Sequence, residues 1–146
     1  MKRYLHPIYA MSTINPKMQK GWAMEVVIYD NNEGPVPHVH VYHDATWDKC
    51  AYIRLDKAEY SLHHDQNSPN SKNYPLDKRQ LNQFIKLMSS TWPNRFIKLA
   101  DGTIREATGY EYAVTIWIDA YGEKTAKKFQ WNEDGSPRMP DYLLLR

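Results

Sequence analysis

The chain has 146 residues, 42% hydrophobic and 25% charged, with a formal net charge of +2. That size and balance suit one folded domain with a real core, and the charge is too small to argue nucleic-acid binding on its own. Its one cysteine excludes an internal disulfide, which fits a reducing compartment, with Cys50 read as a buried structural thiol. No window approaches the ~20 apolar residues of a membrane span. Met1-Lys2-Arg3-Tyr4-Leu5-His6-Pro7 lacks the apolar run of a secretory leader. The expectation is a cytoplasmic protein without a membrane partner.

Residues 1–20, with Pro7 and Asn15-Pro16, read as an extended arm on a single domain spanning 1–146. Trp22 to Asp30 predicts a strand, with Trp22, Met24, Val26 and Ile28 on one face and Ala23, Glu25, Val27 and Tyr29 on the other. The turn-rich segment Asn31 to Pro37 feeds a second strand, about Pro37 to Tyr42, where a proline suits the first residue. Cys50–Leu55 and Ala58–His63 predict a hairpin around Asp56-Lys57. Gln66 to Asn73 is polar and loop-like.

The period then changes. Leu81, Phe84, Ile85, Met88 and Trp92 follow helical spacing and predict a helix from about Pro75 to Trp92. Asn73 is its candidate cap and Asp77 lies in its first turn. Arg95 to Ala100 reads as a short strand ending at Asp101-Gly102.

Residues 109–121 carry two opposed signals. Tyr, Val, Thr, Ile and Trp favour a strand. Thr108 and Glu111 form a capping box, and Gly122 suits the position past a helix end. The reading here is a helix. Lys127–Trp131 predicts a last strand, and Met139–Leu145 is an apolar tail that should dock on the domain or on a partner. The fold class is α+β: a mainly antiparallel sheet of four to six strands, one long amphipathic helix packed on it, and a second helix.

The densest chemistry is Pro37-His38-Val39-His40-Val41-Tyr42-His43. In a strand, His38 and His40 share one face and His43 points to the other. Two imidazoles on one face can hold a zinc-like divalent metal, whose catalytic sites take three protein ligands. A third ligand could come from His63, His64, Asp44 or Asp65, and the metal set expected is His38, His40 and His64. The same two rings can also be ordinary hydrogen-bonded strand residues. A histidine-triad hydrolase needs a third imidazole on that face, where Tyr42 stands instead. No second His-x-Ser/Thr motif, Ser-His-Asp arrangement or Gly-rich phosphate loop is present.

The stretch from Trp22 to about Ser90 resembles the DUF4160 family of small bacterial proteins. The resemblance rests on Val27-Ile28-Tyr29-Asp30-Asn31-Asn32-Glu33, on Pro37-His38-Val39-His40-Val41, and on a hairpin followed by a helix opening Leu76-Asp77-Lys78-Arg79-Gln80-Leu81. It covers about half the chain, and the loop before Pro37 is longer than in that pattern. It implies a bacterial or phage mobile-element setting, with toxin–antitoxin or defence systems as the associated context, and no established catalysis.

Eleven tyrosines and five tryptophans make the chain rich in side chains suited to half-exposed contact surfaces. Lys127 and Lys128, beside Trp131, with Trp117 and Tyr142, are the candidate partner-binding residues. The function expected is a small interaction or regulatory protein that binds a macromolecule: a protein first, nucleic acid second, with a homodimer open through free strand edges. The alternative is a metal-binding protein or metal-dependent hydrolase centred on His38 and His40, with no other cofactor expected.

Overall fold

The computed structural model describes residues 24–28, 36–43, 49–63 and 73–144. Within them, three short strands, β1 (Glu25–Val27), β2 (His38–Tyr42) and β3 (Cys50–Arg54), form an antiparallel sheet in that order. Register pairs Val26 with Val41, Val41 with Ala51 and Val39 with Ile53. Alternation therefore puts Val26, Val39, Val41, Ala51 and Ile53 on one face, and all five are fully buried. The other face carries Val27, His38, His40 and Tyr52.

Helix α1 (Lys78–Ser89) begins at Asp77, whose side chain accepts from the Gln80 N–H while the Gln80 side chain accepts from the Asp77 N–H. This reciprocal cap starts the helix three residues later than Pro75. The Asn73 side chain is used elsewhere: its Oδ1 accepts from Tyr52 N–H and its Nδ2 donates to His63 O, tying β3 to the segment after it. Phe84, Ile85, Leu87 and Met88 are the buried stripe of α1. Full burial of a side chain of that size contributes roughly 1.5–3 kcal/mol.

The expected helix end at Trp92 is also corrected. The chain turns directly from α1 into β4 (Thr91–Lys98), so Trp92 is a strand residue. Its indole N–H still caps the helix by donating to Leu87 O at 2.8 Å. β4 pairs antiparallel with β5 (Ile104–Thr108), with a register irregularity between Thr91 and Phe96 that accommodates Pro93 and the positive-φ Asn94.

Helix α2 (Gly109–Tyr121) matches its predicted range. Thr108 and Glu111 form the capping box, and Gly122 ends the helix at φ 88°. A four-residue helix α3 (Glu123–Ala126) follows. α1 packs on α2 and on a C-terminal 3₁₀ turn (Asp141–Leu144), and α2 packs on both β4 and β5.

The α+β class holds, but the strands lie in a three-stranded and a two-stranded sheet rather than one sheet of four to six. The hairpin arm at 58–63 reduces to one bridge, Ile53 with Leu62. Lys127–Trp131 is a turn followed by a single bridge from Trp131 to Pro137, not a strand. The apolar tail docks, with Tyr142 and Leu143 buried, and Cys50 is buried. The arm at 1–20 and the two ends of the first predicted strand, residues 22–23 and 29–30, lie outside the described residues, and β1 occupies the strand's centre. No helix among the described residues is long and apolar enough to cross a membrane.

Candidate functional site

The twin imidazoles emerge on one sheet face. β2 is extended, and the His38 and His40 ring centroids are 5.1 Å apart. His40 sits between Val27 and Tyr52 across the strands, with the Tyr52 ring 4.6 Å away. His63 brings a third imidazole to 4.4 Å from His38. His64, Asp44 and Asp65 lie outside the described residues.

His38 is packed rather than open. It is 4% exposed, and the Trp117 ring lies 5.4 Å from it. Its Nδ1 is 2.8 Å from Val36 O, and a carbonyl only accepts, so that nitrogen carries the proton. His43 uses Nε2 in the same way on Tyr74 O, at 2.8 Å. Among the described residues, no three His, Cys, Asp or Glu side chains are placed to hold one metal ion. The geometry there is a cluster of tilted rings, continued by Trp117 stacked on Tyr121 at 4.4 Å.

The expected partner-binding residues divide sharply. Trp117 is 1% exposed, with its indole N–H donating to His38 O at 2.9 Å, so its ring serves the chain's own core. Tyr142 is also buried, with its ring edge-on to Tyr60. Trp131 is 43% exposed and anchored by its N–H to Ala126 O. Lys127 and Lys128 are exposed beside it.

Lys128 lines a cleft of about 200 Å³ built from residues 55–58, Tyr110, 128–130 and 138–141. Three hydrogen bonds fix its walls: Tyr110 hydroxyl to Leu55 O, Arg138 N–H to Gln130 O, and Tyr142 N–H to Ala58 O. Tyr110, Leu55 and Phe129 supply buried apolar surface, while Lys57, Lys128 and Arg138 stand exposed around it.

Two acids share the lining, Asp56 and Asp141. Asp56 is held by a two-point contact from Arg54, 2.9 Å from Nε and 2.8 Å from the terminal nitrogen. That carboxylate is already neutralised by an arginine outside the lining, so the three cations outweigh the remaining acid. Burial pushes the Tyr110 hydroxyl well above its ordinary range, with the charge of Asp56 acting the same way, so it remains a neutral donor.

Sequence reasoning found Lys128 but not Lys57, Tyr110 or Arg138, which come from three distant stretches. His63, one of the four candidate third ligands, lies beside His38. The chain matches no family model, no curated protein and no solved structure. The DUF4160 resemblance therefore rests on its motifs.

Proposed function

We propose that this chain is a binding protein, and that the cleft bearing Lys57, Lys128 and Arg138 receives an acidic segment of a protein partner. The observation that supports this reading is the union, in one cleft, of three exposed cations with buried aromatic walls. Cations around a concave, mainly polar floor backed by buried aromatic rings select a carboxylate-rich segment. The exposed Trp131 and Lys127 extend the same basic, aromatic region along the chain. A regulatory role in a mobile-element setting is the context the DUF4160 resemblance suggests for it.

The test is fluorescence anisotropy with labelled peptides rich in Asp, Glu and Trp, beside a single-stranded oligonucleotide of equal charge. The peptide should bind and the double variant K128E/R138E should weaken it at least tenfold. Preference for the oligonucleotide would turn the reading to nucleic acid, and binding of neither would end it.

The second reading, a metal protein at His38 and His40, draws support from His63 as a third imidazole in contact with His38. Burial of His38 opposes it, and so does the absence of a three-ligand group among the described residues, whereas the Nδ1–H bond to Val36 O is compatible with a metal taken at the other ring nitrogen. Elemental analysis of untagged protein, with His40→Ala as control, decides between them. About one metal ion per chain, lost in the variant, would favour the metal.

A further inference from the structure

The β4–β5 hairpin buries one face and bares the other. Trp92, Ile97 and Ala107 are buried, whereas Phe96 is 53% exposed and Ile104 64%. Register pairs Phe96 with Glu106 and Lys98 with Ile104. These four side chains therefore share the outer face as a square. The two apolar residues occupy one diagonal, roughly 7 Å long, and the two opposite charges occupy the other. Lys98 and Glu106 are both exposed, and neither makes an ion pair among the described residues.

That pattern has a specific symmetry. A two-fold axis along the strands, or across them, would set each apolar residue on a charge. An axis along the charged diagonal would set Lys98 on Lys98 and Glu106 on Glu106. An axis along the Phe96–Ile104 diagonal sets Phe96 on Phe96 and Ile104 on Ile104, and it places Lys98 of each copy opposite Glu106 of the other. Self-complementarity of this kind is what an isologous contact requires. We infer that the outer face of the β4–β5 hairpin is a contact between two copies of this chain, related by a two-fold axis along the Phe96–Ile104 diagonal.

The face is small, so association is weak and reversible, with a dissociation constant on the order of 0.1 mM. The β4 edge is a poor alternative, because Pro93 and the positive-φ Asn94 break its ladder. None of Phe96, Lys98, Ile104 and Glu106 lines the basic cleft, so the two proposals fail independently.

Sedimentation velocity on the full chain tests it. The wild type should shift from monomer to dimer as concentration rises to about 1 mM. Ile104→Asp should remove the shift. K98E and E106K should each weaken association about tenfold alone, because each sets like charges across the axis. An equimolar mixture of K98E with E106K should form a heterodimer at least as tight as the wild-type dimer, since every crossed pair is then of opposite charge. A wild type monomeric throughout, a dimer indifferent to Ile104→Asp, or a K98E/E106K mixture that stays monomeric would each overturn the inference.

Discussion

The carboxylate of Glu111 grips the guanidinium of Arg105 at two points, both 2.8 Å, and accepts the Thr108 N–H at 2.9 Å as well. Glu111 is 5% exposed. One side chain thereby joins the end of β5, the start of α2 and the strand's arginine. Replacing it with Ala removes the carboxylate half of the capping box, while Thr108 Oγ1 still accepts the residue-111 N–H, and releases the partly exposed Arg105 to solvent, at a cost of about 1 kcal/mol. Urea unfolding of Glu111→Ala against wild type measures this. Glu111→Gln should fall between them, because it keeps one acceptor oxygen.

Gly109 opens α2 directly against the Trp92 indole. A Cβ there would collide with Cζ2, Cε2 and Nε1 of that ring. Gly109→Ala should destabilise by about 1–3 kcal/mol, the usual scale for overpacking a filled core. The cause is checked by combining it with Trp92→Phe: the smaller ring gives way, so the double variant should lose less than the sum of the singles.

Three phenols cluster where the C-terminal turn docks, and burial raises the pKa of Tyr60, Tyr110 and Tyr142 above the ordinary tyrosine value. Around Tyr142 the neighbouring Tyr110 and Tyr60 add to the effect. A raised folded pKa means that the native state keeps a proton the unfolded chain releases. The associated stability is complete below pH about 10 and is lost as pH rises beyond it. Thermal midpoints should therefore hold from neutral pH to about 9.5 and fall steeply above 10. Tyr142→Phe, which removes one ionisable phenol, should flatten that fall.

Trp117 spans from α2 to β2 through its indole N–H, 2.9 Å from His38 O. Trp117→Phe keeps most of the apolar bulk but leaves that buried carbonyl short of a donor. The expected loss is about 1–3 kcal/mol, read from the midpoint of guanidinium unfolding.

How much of this was legible in the residues depended on whether the signal was local. The Thr108–Glu111 box and Gly122 overruled the strand-like composition of 109–121, because caps satisfy orphan backbone groups that a β-rich composition does not address. The extended run at His38–Val41 was readable from alternation alone. Trp92 fits the spacing of the helical stripe, yet it stands in the irregular strand that follows and serves the helix only through its N–H. The single large sheet failed because nothing local decides whether two hairpins join. Trp117 read as a contact residue, yet its partner lies 79 positions away. The basic cleft was invisible for the same reason, since Lys57, Lys128 and Arg138 meet only after the chain has folded back on itself.

Tyr110 and Trp117, two helical turns apart on α2, donate to the backbone carbonyls of Leu55, just past β3, and of His38 in β2. During synthesis, β1 to β3 leave the ribosome long before the helix whose side chains bond to this part of the chain. Until that segment emerges, the strand assembly exposes greasy surface and bare acceptors, and it is then most open to misassociation or chaperone capture.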